Sequence, residues 1–560
     1  MIEKITKTLD RLSSRKAIKY GVYASAVIIF FALILVPPIA GIFIKWDNIQ
    51  FILAQPTLVN RALGAIQNSF IIALVVAALD LLAGIPMAWL ITRGKSRWLN
   101  AIDTLADIPF IIPTTALGYS LLLFWSEPGG ISTLFGSSLV SPGWLLVTLL
   151  HFTFSFPVVV RVMVGALLDY KMEFERASRT LGAAPFTAVR TVTFPVLRPA
   201  MISAFILAFA RSVSETGATV VVAGVFGQGG FENGPVFIQD MKNSLSTGII
   251  SQATYDGAIV YASFILIAVS IGIFIGIRLL GPRLKLPLKR VRPITERKLS
   301  YRKASRSRNI VILVVFFALI LLPSLFVAFS AFQAIPTPVF TNAVTGSGVW
   351  SGYWQSLLLS YILGGIVTIL NIIIGLPTSI LIARKKAGKF MSSVFDLLVN
   401  VPLVVPSIAL GVSLGIFWKA NFASLPDFAL LVLAHLAITY PYFVRSMSAA
   451  VERISPDLEE ASRTLGAKPL GVFRTIVFPL TKYSMLSGAI MVFTRSVSET
   501  GATVAVTSSL QTAPVLLVNW IKHTVPNATA LDIALGSGFL VLLSFIILLI
   551  LRLVVGRKGK

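Results

Sequence analysis

Long apolar runs separated by short polar stretches make up most of the 560-residue chain. Each run is close to the roughly 20 residues that a helix needs to cross a bilayer, so each predicts a membrane-spanning helix. In the first half the predicted spans are roughly 20–43, 65–91, 108–125, 144–167, 200–224 and 257–280. In the second half they are roughly 309–332, 357–382, 398–418, 427–449, 484–508 and 533–555. The pattern predicts an all-α polytopic membrane protein with about twelve spans.

The polar stretches between the runs predict how the chain is oriented. Lys and Arg are concentrated in the N-terminal segment, in two repeated polar stretches described below, and at 93–97, 281–308, 384–389 and 557–560. These segments fall on alternate loops, and basic residues accumulate on the cytoplasmic side of membrane proteins. We therefore expect a multi-pass protein of the cell (inner) membrane with both termini in the cytoplasm.

The two halves of the chain are related in sequence throughout. Arg211–Val220 recurs unchanged as Arg495–Val504, and Asp107–Gly118 closely resembles Asn400–Gly411. Because each half has an even number of spans, both halves cross the bilayer in the same direction, which predicts a pseudo-two-fold axis along the membrane normal. The predicted units are residues 1–280, a basic cytoplasmic linker at 281–308, and residues 309–560.

Composition narrows the possible function. The chain is 56% hydrophobic and 13% charged, with 48 basic and 23 acidic residues giving a net charge of +25. A soluble domain could not bury this much apolar surface, and the basic residues lie between spans instead of forming a nucleic-acid-binding surface. The absence of cysteine excludes disulfides and thiolate chemistry. No nucleophile–base pair or metal-ligand set is evident, so we expect neither an enzyme nor a metal site.

Two polar islands stand out among the apolar runs. The first reads R-A-S-R-T-L-G-A-A-P-F-T-A-V-R-T-V-T-F-P from Arg176, and the second E-A-S-R-T-L-G-A-K-P-L-G-V-F-R-T-I-V-F-P from Glu460. Gly182 and Gly466 are placed to end a helix in the left-handed conformation, and the prolines three residues later suit the first turn of a new helix. Each island therefore predicts a helix, a sharp turn and a second helix on the membrane surface.

The islands resemble a known family motif, the cytoplasmic "EAA" loop of ABC importer permeases. The second island fits that motif with Glu460, Ala461, Gly466, Ile476, Phe478 and Pro479, and has Ser462 at the second alanine position. The first island fits it with Ala177, Gly182, Val192, Phe194 and Pro195. Arg176 occupies the glutamate position there, and Glu175 lies one residue earlier.

The resemblance implies the type I ABC importer fold, with coupling loops near 170–198 and 454–482. It implies that two copies of a cytoplasmic ATP-binding subunit dock on these loops and that an extracytoplasmic binding protein delivers the cargo. ATP and Mg would be used by that partner and no cofactor by this chain, because Gly94-Lys95-Ser96 lacks the leading glycine of a P-loop. Ordinary surface helices are the alternative, which the duplication disfavours.

Ionisable residues are also predicted near the middle of the bilayer. Arg211 and Glu215 are four residues apart on one predicted helix, and Arg495 and Glu499 repeat them in the second half. Charges at that depth are costly and are by default candidates for function. One hypothesis is that these pairs line a translocation path together with Ser214 and Ser498. The other is that each pair only clasps helices together.

The cargo stays open at this stage. The Arg211–Val220 segment resembles sulfate and molybdate permeases, whereas the fused two-unit chain resembles ferric-iron, thiamine or phosphonate permeases. We expect a small solute, either an inorganic oxyanion or ferric iron, with thiamine or phosphonate as alternatives. A secondary transporter of the major-facilitator type is the rival class, since it also has twelve spans in a parallel repeat. It would not need the two islands.

Overall fold

A computed structural model describes residues 10, 13–94, 96, 98–126, 130, 131, 136, 138–223, 231–280, 293–507, 509–522 and 524–556. The predicted basic segments at 1–9, 281–292 and 557–560, with Lys95 and Arg97, lie outside this set. Within the described residues the secondary structure is helical, with no strand. This confirms the all-α prediction.

The helices of the first half follow one another in this order: α1 Lys16–Ile29, α2 Val36–Ile44, α3 Ile49–Leu53, α4 Pro56–Arg93, α5 Trp98–Leu105, α6 Ile108–Ile111, α7 Thr114–Trp125, α8 Trp144–Asp169, α9 Met172–Thr180, α10 Pro185–Ala188, α11 Phe194–Ser214, α12 Gly217–Val222, α13 Gly234–Ser246 and α14 Gln252–Leu280. Wider π-helical turns at Phe30–Leu35 and Val189–Thr193 join α1 to α2 and α10 to α11.

The second half repeats the series: α15 Pro293–Leu299, α16 Arg302–Val315, α17 Leu322–Ala334, α18 Pro338–Thr345, α19 Tyr353–Ala383, α20 Lys389–Leu398, α21 Val401–Val404, α22 Ser407–Asn421, α23 Asp427–Glu452, α24 Pro456–Thr464, α25 Pro469–Val472, α26 Phe478–Val497, α27 Gly501–Val506, α28 Ala513–Ile521 and α29 Ala530–Gly556. The π-helical turns recur at Phe316–Leu321 and Phe473–Val477.

Ten helices among the described residues are long and apolar enough to cross a membrane, and two bent pairs raise the number to twelve. The bent pairs correspond to the predicted third and ninth spans, where the chain turns by 103° between α6 and α7 and again between α21 and α22. Pro113 and Pro406 lie at these turns, immediately before α7 and α22. Proline disfavours helical geometry in the residue before it, which explains why the helix breaks there.

The fifth and eleventh spans differ from the prediction of single continuous helices. Span five stops at Ser214 and resumes at Gly217, and span eleven stops at Val497 and resumes at Gly501. Backbone groups freed inside a membrane must find partners within the protein. The breaks therefore point to a site where side chains replace the missing helical hydrogen bonds.

The first span of each repeat packs against the opposite repeat. Helix α2 runs along α22, and α17 runs along α7. A Cβ on Gly41 would lie 1.9 Å from the Ser413 carbonyl oxygen, so this contact requires glycine. In the related contact, Ser120 Oγ donates to the Pro323 carbonyl oxygen at 2.6 Å and accepts the Val327 N–H at 2.8 Å. The first span of each repeat thus contacts the opposite repeat, and α17 packs along α29 of its own repeat as well.

Candidate functional site

The two islands fold as predicted. Helices α9 and α24 end just before Gly182 and Gly466, whose φ angles of +92° and +89° lie in the left-handed region. Pro185 and Pro469 open α10 and α25. These features confirm the predicted helix, turn and second helix in both copies, on one and the same face of the protein, which we call the island face.

Each island presents an uncovered apolar tip. Leu181 and Leu465, directly before the turn glycines, are 88% and 89% exposed. Ala177 and Ala461, one turn earlier, are exposed as well. Apolar side chains this exposed at equivalent positions are typical of a surface that another protein covers.

The acidic residues of the islands divide into an inner and an outer set. Glu175 is buried and its counterpart in the fold is Glu459, whose carboxylate pairs with Arg384 at 2.7 Å. Glu460, at the motif position, is exposed, as is Arg176 in the first copy. The sequence argument did not single out Glu459, although its offset from Glu175 matches the 284-residue spacing of the islands. At the motif position, the exposed charges of the two copies therefore have opposite sign.

Segments that precede the first span of the opposite repeat hold both islands in place. The Phe186 N–H donates to Ser300 Oγ at 3.0 Å, and the Leu470 N–H donates to Ser13 Oγ at 3.2 Å. Glu296 of α15 adds hydrogen bonds to Thr187 at 2.6 Å and Arg190 at 2.7 Å. Movement of either island will therefore displace spans of both repeats.

A cavity of about 850 Å³ lies between the repeats, next to where the chain returns from the first island into the membrane. Its lining includes Pro195 and Arg198 at the start of α11, and Arg211 deeper along the same helix. The second repeat contributes Asn400 and Arg445, among others. Of the predicted path residues, Arg211 lines this cavity, whereas Ser214, Glu215, Arg495, Ser498 and Glu499 are not among its lining residues.

Both predicted Arg–Glu pairs lie at the breaks in the fifth and eleventh spans. Arg211 Nη1 is 3.5 Å from Glu215 Oε2, and Arg495 Nη1 is 2.5 Å from Glu499 Oε2. The first arginine is therefore held more loosely than its counterpart. Arg211 also lies over the ring of Phe154, with 5.1 Å from its guanidinium carbon to the ring centre.

The glutamates also stabilise the helices that follow the breaks. Glu215 Oε1 accepts the Ala218 N–H at 3.2 Å, and Glu499 Oε1 accepts the Ala502 N–H at 3.0 Å. Negative charge is favourable at a helix N-terminus, where N–H groups have no intrahelical partner. Each glutamate thus links the arginine of one half-helix to the start of the next.

The hydroxyls of the two predicted serines donate hydrogen bonds to backbone carbonyl oxygens of the preceding helical turn. Ser214 Oγ donates to the Arg211 carbonyl oxygen at 3.1 Å, and Ser498 Oγ donates to the Thr494 carbonyl oxygen at 2.7 Å. In this conformation their hydroxyls satisfy backbone groups near the break.

Two buried histidines bridge the breaks. His151 lies 2.7 Å from Ser212 Oγ on one side of the break and 2.8 Å from Thr219 Oγ1 on the other. His435 makes the same pair of contacts with Ser496 and Thr503, both at 2.9 Å. No sequence signal placed these partners together, because they come from separate helices. The histidines are hydrogen-bonded between helices, and no group of three His, Asp or Glu residues in the described part of the chain could hold a metal ion.

Replacing His151 by alanine should lower the free energy of unfolding by about 1–3 kcal/mol, because Ser212 and Thr219 would lose a buried partner. Thermal melting of the purified protein in detergent measures the loss. A double-mutant cycle with Thr219→Val isolates the contact, since neighbours that interact do not add. Additive effects of the two substitutions would contradict the bridging role.

Hydroxyl groups from the two repeats meet between the breaks. Thr115 Oγ1 is 3.1 Å from Thr500 Oγ1, and Thr216 Oγ1 is 3.4 Å from Ser407 Oγ. A Cβ on Gly217 would lie 2.4 Å from Thr500 Oγ1, so glycine is needed for this approach. The repeats thus touch through small polar groups next to the two breaks.

Comparison with known proteins matches both repeats to one family. The family described as "Binding-protein-dependent transport system inner membrane component" matches residues 80–286 and 375–558. These two matches cover both islands, both breaks and both histidine bridges.

Individual relatives agree with this match at modest identity. The ferric transport system permease protein FbpB of Actinobacillus pleuropneumoniae is 24% identical over 94% of this chain and 77% of its own length. The sulfate transport system permease protein CysT of Salmonella typhimurium is 28% identical over 38% of this chain and 78% of its own length. A probable sulfate transport system permease protein of Nephroselmis olivacea is 36% identical over 27% of this chain, and the match spans only 54% of that relative.

Proposed function

The chain belongs to the family of binding-protein-dependent transport system inner membrane components, and on that premise we propose that it is the permease subunit of an ATP-driven importer. One chain would supply both halves of the transport path. Two copies of a cytoplasmic ATP-binding subunit would grip the islands, and an extracytoplasmic binding protein would deliver the cargo on the opposite face. The family match favours this proposal over the major-facilitator alternative.

The pair of islands carries the proposal. Their turn glycines have nearly the same φ angle, and their leucine tips have nearly the same exposure. Two equivalent apolar tips on one face fit two copies of one partner. The excess of Lys and Arg around them favours a cytoplasmic location for this face and for both termini.

The fold provides a route from the islands to the cavity. Each island helix continues through a short second helix and a π-helical turn into α11 or α26. These helices lead to Arg211 and Arg495 at the two breaks. Drawing the islands together on ATP binding would close the cavity on the island face. Separation of the hydroxyl contacts between Thr115 and Thr500 would then open the opposite face, which is alternating access.

The lining of the cavity favours an oxyanion as cargo. Three arginines, Arg198, Arg211 and Arg445, line it together with one carboxylate, that of Asp396. Asp396 pairs with Arg445 at 2.5 Å and Arg211 lies 3.5 Å from Glu215, so three guanidinium groups and a single carboxylate line the cavity. A sulfate- or molybdate-like anion suits this lining better than ferric iron does, because hard cations bind oxygen-rich acidic sites. Phosphonate shares the anionic chemistry and is the next candidate, whereas cationic thiamine fits less well.

Placing a charge on the island tips should abolish transport. In the double variant Leu181→Asp and Leu465→Asp, a carboxylate would have to enter the apolar contact with the ATP-binding subunit, which is unfavourable without a partner. We expect a loss of labelled sulfate or molybdate uptake by cells, and a loss of ATP-binding subunit recovered with the tagged chain. Ile294→Asp is the matched control, since Ile294 is 76% exposed on the same face. Wild-type uptake in the double variant would refute the docking role.

A further inference from the structure

A charged cluster anchors α13 to its own repeat on the face opposite the islands. Arg61, near the start of α4, donates to both carboxylate oxygens of Glu232 at 3.0 and 2.6 Å. It also pairs with Asp240 of α13. Paired hydrogen bonds between a guanidinium and a carboxylate are among the strongest and most directional polar contacts in proteins. Helix α13 is therefore fixed to α4 along its length.

The next charged residue of α13 reaches across to the other repeat. Lys242 Nζ donates to the carbonyl oxygen of Val504 in α27. This carbonyl belongs to the last turn of α27, where carbonyl groups have no intrahelical partner and cations are favoured. The contact therefore ties the first repeat to the half-helix that follows the second break.

The repeat itself supplies an internal comparison. The backbone contact that seats α13 recurs: the Gly234 N–H donates to Ser69 Oγ, and the Ala513 N–H donates to Ser360 Oγ, both at 2.9 Å. The charged cluster does not recur. The positions equivalent to Arg61, Glu232, Asp240 and Lys242 are Gly352, Gln511, Asn519 and Ile521. Helix α28 packs at the equivalent place in the second repeat without these charges. The fold therefore does not require the charges in α13.

Other lysines surround the contact. Burial lowers the pKa of the Lys242 ammonium, and the nearby positive charge of Lys419 in the second repeat lowers it further. Burial also lowers the pKa of the Lys522 ammonium, in the second repeat, and the negative charge of nearby Asp240 partly opposes this effect. Four cations, Arg61, Lys242, Lys419 and Lys522, therefore lie near three carboxylates, Glu232, Asp240 and Asp427, which is an excess of one positive charge contributed by both repeats.

We propose that Lys242 is a latch of the gate opposite the islands, because its hydrogen bond holds α13 to α27 while the path is closed on that side. An inorganic oxyanion favours opening because it binds the Lys242 ammonium in place of the Val504 carbonyl oxygen. The inference rests on the proposed import function for its role in transport, but the latch itself can be tested on the isolated chain. When the repeats separate, the ammonium leaves the Val504 carbonyl and becomes available at the mouth of the path. An anion that binds there replaces the lost hydrogen bond.

The test uses spin labels on the purified full-length chain in lipid nanodiscs. The chain has no cysteine, so Ser246→Cys and Asn421→Cys give two specific labels, at exposed positions on opposite repeats near the contact. Pulsed EPR measures the distance between them in wild type, Lys242→Met, Lys242→Arg and Ile521→Met. Each variant is measured in sodium sulfate and in sodium chloride at matched ionic strength.

We expect Lys242→Met to increase the long-distance population about tenfold, as loss of one charge-assisted hydrogen bond implies. Lys242→Arg keeps a donor and should stay near wild type, and Ile521→Met, the equivalent position in the second repeat, should have no effect. Sulfate should lengthen the wild-type distances but not those of Lys242→Met. Unchanged distances in Lys242→Met would overturn the latch, and an equal response of both proteins to sulfate would overturn the anion contact. Neither result depends on an ATP-binding subunit, so failure of the import proposal would appear separately, as uptake that does not require the islands.

Discussion

Replacing Gly466 by valine is expected to reduce ATP-driven uptake about tenfold or more. A residue with a branched Cβ in the left-handed backbone conformation costs about 1–2 kcal/mol in conformational free energy, and each 1.4 kcal/mol corresponds to a factor of ten in an equilibrium. Gly466 has a φ of +89° at the end of α24. Valine would favour an extended or helical backbone there, which would turn Leu465 and α25 away from their present directions. The spans should still insert, since Gly466 is exposed and a Cβ there meets no atom within 4 Å.

The same loop supplies the control for this prediction. Gly471 lies five residues later in α25, where the backbone is helical, and a Cβ there would meet only Ala467 at 3.7 Å. Gly471→Ala should therefore transport at the wild-type rate. Gly182→Val should reproduce the defect in the first island, since its φ is +92°. If Gly466→Val supports normal uptake, with the protein present at wild-type level in the membrane, the turn has no role in coupling.

The sequence was sufficient to predict the islands because their geometry is local. Glycine at a helix end and proline three residues later restrict φ and ψ within a few residues, so Gly182 and Pro185 fix the turn without help from the rest of the chain. The repeat and the number of spans were predictable for a similar reason. Apolar run length and the recurrence of Arg211–Val220 are properties of the sequence alone.

The breaks in spans five and eleven could not be predicted in the same way. No proline lies at Glu215–Thr216 or at Ser498–Thr500, and the apolar pattern continues past both points. Contacts with another helix hold the two sides of each break together: His151 bridges the side chains of Ser212 and Thr219, and His435 those of Ser496 and Thr503. Such contacts join residues about 60 positions apart, and single-sequence periodicity carries no information about them.

Two other features also depend on tertiary contacts. The exchange of first spans brings Ser13 to the second island and Ser300 to the first, which no motif in either segment indicates. The inner carboxylate of the second island, Glu459, could have been found by aligning the islands, because it is the direct counterpart of Glu175. The family motif directed attention to Glu460 instead, one residue away and on the exposed side of α24.

Residues whose contacts occur in both repeats have a different role from residues whose contacts occur in only one. The histidine bridges, the glutamate caps and the serine that seats α13 or α28 are all duplicated, as expected for features that the fold needs twice. The Arg61–Lys242 cluster and the exposed Arg176 occur once. A fused chain can let its two halves diverge where they meet different surroundings, so the unduplicated residues are candidates for contacts that only one half makes.

The two membrane arginines are expected to respond differently to loss of charge. Arg211→Gln should reduce sulfate or molybdate uptake about tenfold or more while lowering stability only slightly, because Arg211 lines the cavity and lies 3.5 Å from Glu215. Arg495→Gln should chiefly destabilise the protein, because Arg495 is not among the cavity-lining residues and lies 2.5 Å from Glu499. Breaking a buried pair by removing one partner costs about 3–5 kcal/mol, since it leaves an uncompensated charge.

Comparing the two variants shows whether each arginine lines the translocation path or only holds helices together. Uptake by cells, corrected for the amount of protein in the membrane, reports transport, and thermal melting in detergent reports stability. Glutamine keeps a hydrogen-bond donor but removes the positive charge that an oxyanion would meet, and the same substitution is made at both positions. The double variant Arg495→Gln with Glu499→Gln removes both charges and should recover most of the stability lost in Arg495→Gln, because no unpaired carboxylate remains. If Arg211→Gln instead transports normally and melts at a lower temperature, both pairs are clasps, and the charge of Arg211 has no role in recognising the cargo.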